Sequence, residues 1–480
     1  MRAWRIASSR SEWRNAVRLI ERAEQAARHL ETAGELGEHE RVELSIAAGE
    51  TFRSVGRIRE AGAVIGRAVA EAQAVDDNRA LARALFIRGL TEMASSAYAD
   101  ARASLTQALD LFLEAEDPDA VAQTTVQLAA VWVAVGNCER AADLVESILA
   151  SSTAPEVVAQ AHAILGWARA LRGQCSEGAA LLERSLEYHD RAGNLRERAA
   201  ILRRLHGLHL SRGDYEKAIA LAVRARDDSD TVGDSNGVAK ANMGIGQARV
   251  AQGLHAEGIS FLTRAIEQLQ RIGDLHCEAE CLWQLGRARC EMGQSAEADA
   301  LLQRALGMIR EIGDRNDEFR ILIDCARACM ARGELDRALC HAEAAAAMAR
   351  DLGSAEGAAL AQLETARIDL ATGDARVARE KASRAVAVLD QRLSSERWRG
   401  WCTLGVIERA AGQADRARVS LTRGIGLLDA IREQIDSSDT NRRITIARAR
   451  RAPVRELSQL LTVRGFPAEA ERLERSWLVE

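Results

Sequence analysis

Residues 273–313 read GDLHCEAECLWQLGRARCEMGQSAEADALLQRALGMIREIG, and this stretch decides the fold. Gly273 suits the left-handed cap that ends one helix, and Asp274 offers a carboxylate to the N–H groups that open the next. A first helix follows through Leu282, Leu285, Gly286, Ala288 and Cys290 until Gly293 breaks it. A second carries Ala298, Leu301, Leu302, Ala305, Leu306 and Ile309. Apolar residues return every three or four positions, which is the period of a helix and not of a strand.

The same punctuation runs outward in both directions. Gly213, Gly253, Gly293, Gly333 and Gly373 stand forty residues apart, and Gly193, Gly233, Gly273, Gly313 and Gly353 keep that step at a twenty-residue offset. Self-similarity at such a period marks a solenoid, whose units stack in a line and touch their neighbours. Small residues hold a fixed frame around each turn glycine: Gly286/Gly293/Ala298/Ala305, Gly246/Gly253/Gly258/Ala265 and Gly405/Gly412/Ala417/Gly424. Gly49/Gly56/Ala61/Ala68, Gly166/Gly173/Gly178/Ser185, Ala326/Gly333/Ala338/Ala345 and Ala366/Gly373/Ala378/Ala385 repeat it. Two helix backbones can cross closely only where side chains are this small. In the second repeat, Ser96 replaces the turn glycine.

This frame resembles the tetratricopeptide repeat (TPR), with Phe52 and Trp132 in the aromatic slot of their repeats. The resemblance implies an all-α, right-handed solenoid of stacked antiparallel helix pairs. The forty-residue step exceeds the usual period of about 34, so each helix is expected to be nearly a turn longer. Ten repeats fit between Arg41 and Ile431, with a degenerate N-terminal cap over residues 1–40. Residues 432–480 read as a long helix and a capping hairpin.

The prolines agree with helix borders. Pro118 and Pro155 fall between repeats, Pro453 is expected to open the final helical pair, and Pro467 to sit in its turn. The step from Gly136 to Gly173 is three residues short, and Ser151-Ser152-Thr153-Ala154-Pro155 reads as a tighter loop. From Ile431 to Arg451 one long polar helix is expected, containing Arg442, Arg443, Arg448 and Arg450. Leu457, Leu460 and Leu461 follow, then Gly465-Phe466-Pro467-Ala468-Glu469-Ala470 and Leu473-Glu474-Arg475. This end resembles the junction at which bacterial repeat arrays lead into a CHAT peptidase domain. The array as a whole resembles the sensor arrays of STAND ATPases and Ser/Thr kinases. Effector motifs are expected to be missing, since the chain ends where such a domain would begin, so only the repeat module carries over.

Composition narrows the class. Of 480 residues 47% are hydrophobic but only 4% aromatic, so the core is built from Ala, Leu, Val and Ile. With 65 basic and 70 acidic residues the net charge is −5, which gives no bulk attraction to nucleic acid or anionic lipid. No run approaches the roughly 18 apolar residues of a membrane span. Met1-Arg2-Ala3-Trp4-Arg5-Ile6 lacks a signal-peptide core, and nine cysteines without secretory context point to a reducing cytoplasm.

No catalytic constellation assembles: there is no H-E-x-x-H or phosphate-binding G-x-x-x-x-G-K-[ST] pattern. Gly244-Ile245-Gly246 lies inside a first helix with no strand before it. Cys277/Cys281 and Cys325/Cys329 have i, i+4 spacing, but they occupy the apolar stripes where other repeats carry Ala, so they read as small buried hydrophobes. His206 replaces the small residue at a helix crossing, with His209 one turn on, and reads as a packed histidine. No cofactor or metal is expected.

The informative face is the inner one. Counted from each repeat's small residue, positions −6, −3, +1 and +4 of the first helix point inward. Early repeats place Phe86, Leu90, Met93, Val126, Val133 and Trp167 there. Later ones place Arg203, Lys240, Arg287, Arg320, Arg327, Arg367, Arg399 and Arg409, with Met243 and Trp283, and Glu280 as the main acidic exception. The expectation is a non-enzymatic scaffold or sensor in bacterial signalling. Its groove would hold a peptide or helix of a protein partner through apolar anchors and arginine–carboxylate pairs. The alternative is the regulatory half of a split effector, with a CHAT peptidase, kinase or ATPase encoded nearby.

Overall fold

The computed structural model describes residues 13–32, 37–152, 154–172, 174–391, 396–433 and 440–478. Among these residues all regular structure is helical, in 23 helices. Two compact lobes divide the chain. One comprises the chain up to Arg212 with Glu216–Ala248 and Ala256–Cys281, the other Gly213–Tyr215, Arg249–His255 and the chain from Leu282.

The N-terminal lobe begins with α1 (Trp13–Thr32), α2 (Glu38–Ser54), α3 (Ile58–Ala74), α4 (Asn78–Ala94) and α5 (Tyr98–Glu114). It continues with α6 (Pro118–Ala134), α7 (Cys138–Ser151), α8 (Pro155–Leu171), α9 (Cys175–Ala192) and α10 (Leu195–Arg212). Next come α11 (Tyr215–Val232), α12 (Ser235–Ala251), α13 (His255–Ile272) and the start of α14 (Leu275–Glu291). The C-terminal lobe holds α15 (Ser295–Ile312), α16 (Arg315–Ala331), α17 (Leu335–Asp351), α18 (Ala355–Ala371) and α19 (Ala375–Gln391). It ends with α20 (Arg397–Ala410), α21 (Ala414–Glu433), α22 (Thr440–Val463) and α23 (Pro467–Leu478).

Each even-numbered helix from α2 to α20 is the first of a repeat, and the tight crossings fall on the small-residue frame. A Cβ added to Gly166 would lie 2.8 Å from the Gly178 carbonyl oxygen, and one on Gly178 would lie 2.6 Å from that of Gly166. Gly246 and Gly286 meet Leu262 and Leu302 as closely, at 2.8 and 2.9 Å. Within each lobe first helices also touch the first helix of the next repeat, as α6 touches α8 and α18 touches α20. Side chains cap helix N-termini: Asp77, Asp117 and Asn137 accept from the backbone N–H three residues on. Asp274 accepts from Cys277 N at 3.1 Å. The architecture is the all-α solenoid of stacked antiparallel helix pairs.

The N-terminal lobe closes on itself. Ser235 N reaches Val55 O at 3.4 Å, and Arg196 Nη2 donates to Arg53 O at 3.3 Å. Val232 is buried in one cluster with Ala47, Phe52, Val55 and Val64. The turn between α2 and α3 thus packs on the turn between α11 and α12, from far along the chain.

Several sequence readings need correction. The short step before Pro155 comes from α7, which has 14 residues where α6 has 17, and not from a tighter loop alone. Pro453 does not open a helix but lies inside α22. An interior proline costs about 3 kcal/mol, and the burial of Val454, Leu457, Leu460 and Leu461 against Leu421 and Ile425 offsets it. The expected helix over 431–451 is instead the end of α21, a segment 434–439 outside the described residues, and the first half of α22. The side chains of Arg442, Arg443 and Arg448 and the turn residue Gly173 also lie outside the described residues. Pro467 is the first residue of α23. No described helix is long and apolar enough to cross a membrane.

Candidate functional site

In the C-terminal lobe the inner face of α16, α18 and α20 surrounds a cavity of about 680 Å³. Arg327 and Met330 come from α16, Leu360, Leu363, Arg367 and Leu370 from α18, and Arg399, Cys402 and Val406 from α20. These are the −6, −3, +1 and +4 positions of three successive repeats. Ala452, Pro453 and Glu456 of α22 complete the wall, a contribution that repeat counting did not include.

The arginines around it are not bare cations. Arg327 lies 2.7 Å from Glu364 and 3.1 Å from Asp324. Arg367 takes the second Glu364 oxygen at 2.9 Å. Arg399 pairs with Glu396 at 2.8 Å, Arg409 with Glu456 at 2.7 Å, and Arg320 with Asp317 at 3.3 Å. Burial disfavours the Arg327 charge, but Glu364 and Asp324 outweigh it and hold the guanidinium firmly protonated. These carboxylates lie outside the counted positions, where Glu280 is the main acidic exception. Asp324 and Glu364 stand two residues before the small residue of their repeats and reach the arginines of their own and the preceding helix. Glu364 is only 4% exposed.

Trp283 is a buried brace more than an anchor. Its Nε1 donates to Asp324 Oδ2 at 2.8 Å, and the Arg320 guanidinium lies 4.6 Å from its ring centre. Arg287 lies 3.7 Å from Asp324, so one carboxylate gathers Trp283, Arg287 and Arg327.

The N-terminal lobe treats its candidates differently. Phe86, Leu90 and Met93 are half-buried and pack against the cores of their own and adjoining repeats. Val126 and Val133 are core residues and not surface anchors, because α6 turns them into the packing with α7 and α8. Trp167 lies half-buried against Gly207, where an added Cβ would be 3.2 Å from the ring. Arg203 and Lys240 are drawn together around a separate cavity of about 140 Å³ with Arg53, Arg196, Glu197, Asp234 and Asn236. Arg53 and Arg196 were not legible as site residues, since only lobe closure brings α2 to α10.

The remaining candidates are packed. Cys277, Cys281, Cys325 and Cys329 are buried free thiols, and burial pushes all four above the usual thiol range, which suppresses the reactive thiolate. His206 is buried, its Nδ1 2.9 Å from the Ala218 carbonyl oxygen, and burial lowers its pKa. Gly244 and Gly246 lie within α12.

Paired helices crossing at small residues, with glycine at nearly every turn, define the class as a tetratricopeptide-type solenoid. Residues 237–311 match the family model "Tetratricopeptide repeat". No curated protein matches the sequence. Among solved structures, a Rap protein complexed with Competence and Sporulation Factor is similar, at 11% identity and TM-score 0.54, over 79% of this chain and 99% of that one. A STAND protein with a tetratricopeptide repeat sensor from Pyrococcus horikoshii is 16% identical with TM-score 0.46, over 70% of this chain. The chain spans 55% of that protein's length. At these identities the likeness is one of fold.

Proposed function

We propose that the protein is a non-enzymatic interaction scaffold whose C-terminal lobe receives a peptide or helix of a protein partner in the cavity between α16, α18, α20 and α22. One observation carries this reading: an inner-face cavity of about 680 Å³ with an apolar floor of Leu360, Leu363, Leu370 and Val406. Grooves of this kind accept apolar anchor side chains spaced along a helix or strand. At the rim, Arg367 and Arg399 keep nearly half their side-chain surface in solvent, 46% each, while paired to carboxylates of this chain. Each retains guanidinium N–H groups for a second acceptor, so acidic residues beside the partner's anchor would add charge-assisted hydrogen bonds. The fold accommodates a bound factor in the Rap complex, which supports a scaffold role here. A place in bacterial signalling, in the cytoplasm, is part of the same proposal.

The test uses the full chain as bait in lysate of its native host, followed by affinity measurement with the purified partner. Leu360→Glu with Val406→Glu should weaken binding at least tenfold at unchanged helicity, and Arg367→Glu with Arg399→Glu less. Equal affinity for the wild type and the Leu360/Val406 variant would remove this cavity from the reading.

A further inference from the structure

We propose that the smaller cavity of the N-terminal lobe, bounded by Arg53, Arg196, Arg203 and Lys240, is a binding site for one small oxyanion, a phosphate or carboxylate group. Among the described residues no carboxylate lies within ion-pair distance of Arg53, Arg196 or Arg203. Arg53 Nε, Arg196 Nη1 and Arg203 Nη1 are buried without a hydrogen-bond acceptor. Three arginines from two helices thus line one void, and each holds a buried N–H with nothing to receive it. A half-buried cation without a partner is costly, and water satisfies its hydrogen bonds without neutralising its charge.

Two of the nearby acids, Asp234 and Asp274, are committed elsewhere, while Glu197 also lines the void. Asp234 Oδ1 caps α12 by accepting from Gly237 N at 3.0 Å. Asp274, fully buried, takes Lys240 at 2.9 Å and caps α14. Glu50, Glu197 and Asp234 reach the arginines only through longer-range attraction. Burial, with Arg196 adding repulsion, pushes Arg53 down to about 10. Burial also lowers Arg203. In both cases the attraction of the surrounding carboxylates does not make up for the loss of solvent. The N-terminal turn of α12, through Asn236 and Gly237, lines the same void and adds a partial positive charge.

Size sets the ligand class. A void of about 140 Å³ holds roughly four or five waters, which suits a single phosphate or carboxylate head and not a nucleotide. Because its donors sit on α2 and α10, the anion would bridge repeat one to repeat five and fasten the closure of the lobe. This site is independent of the partner cavity proposed above.

The experiment titrates the full chain by calorimetry with inorganic phosphate and, separately, with acetate, in chloride buffer of matched ionic strength. One saturable site for either anion is expected, and which anion binds tells phosphate from carboxylate. Arg203→Gln and Arg53→Gln should each weaken it at least tenfold. In chloride alone Arg203→Gln should melt at or above the wild-type temperature, because it removes an unpaired, half-buried charge. Hydrogen exchange at residues 53–58 and 234–237 should slow when the anion is bound. No saturable heat for either anion, or binding by both variants equal to wild type, would overturn the proposal. A wild-type titration decides the matter even if a variant fails to fold.

Discussion

The two lobes use inner-face arginines in opposite ways. In the C-terminal lobe Arg327 and Arg367 stand on either side of one buried carboxylate, Glu364. In the N-terminal lobe Arg53, Arg196 and Arg203 stand beside one another around a small void. Residue type is shared, so it does not decide the electrostatics. What differs is the position two before the small residue, Asp324 and Glu364 in repeats eight and nine but Arg204 in repeat five. In one lobe the charges knit successive helices together. In the other they await a charge from outside.

The sharpest way to break that comparison is Glu364→Ala. It strands Arg327 and Arg367 around a site that is 4% exposed, and breaking a buried pair costs about 3–5 kcal/mol. Arg327 and Arg367 are partly solvated, so the expected loss is about 3 kcal/mol, read by denaturant unfolding. Glu364→Gln should cost less, because it keeps one hydrogen-bond acceptor. A loss below about 1 kcal/mol, the range of exposed pairs, would show that the network is only a surface feature.

The fold was legible because one physical need, room for two backbones to cross, recurs at fixed spacing. Gly166 and Gly178 cannot be enlarged, and a reader of the sequence sees them without coordinates. The register of Arg327, Arg367 and Arg399 could be counted along each first helix for the same reason, whereas the apolar floor of Leu360, Leu363 and Val406 emerges only with the cavity. Pairing was not, because a count of charges on a face does not say which carboxylate reaches which arginine. A signal was nevertheless present: Asp324 and Glu364 stand forty residues apart at one register position. The Arg53–Arg196–Arg203 cluster had no such signal. Closure between repeat one and repeats five and six leaves no periodic trace in the chain.

Acid offers a second, milder contrast. His189 and His206 of the N-terminal lobe are buried, 1% and 6% exposed, and burial lowers both pKa values. A histidine held neutral by the fold binds its proton more readily in the unfolded chain, whose ordinary value is about 6.5. Stability is therefore complete above that value and falls as the pH drops below it. Between pH 7 and pH 5.5 a loss of about 1–2 kcal/mol is expected from this pair. His206 stands where the other lobe has Gly286, Ala326, Ala366 and Gly405, so His206→Ala should remove part of the slope. In the C-terminal lobe His341 is also lowered, but it is half-buried and contributes less. Unfolding curves at the two pH values that stay parallel for wild type and variant would exclude His206 as a source.

The smallest effect separates the lobes by their turns. All left-handed turn residues of the C-terminal lobe are glycines among the described residues, whereas the N-terminal lobe holds Asp76, Ser96 and Glu116 at φ of 54°, 63° and 52°. A side chain in this region costs roughly 1–2 kcal/mol, less for Asp, whose short polar group tolerates it. Glu116 has no such relief, since its Cβ meets the following carbonyl without a short polar group to compensate. Replacing it by glycine removes that strain but adds backbone freedom to the unfolded chain, which returns about 0.5–1 kcal/mol of the gain. Glu116→Gly should therefore stabilise the N-terminal lobe by about 0.5 kcal/mol, and Asp76→Gly should be close to neutral. Thermal unfolding resolves this as a rise of a degree or two. A fall for Glu116→Gly would mean that its side chain contributes more at the turn than its backbone strain costs.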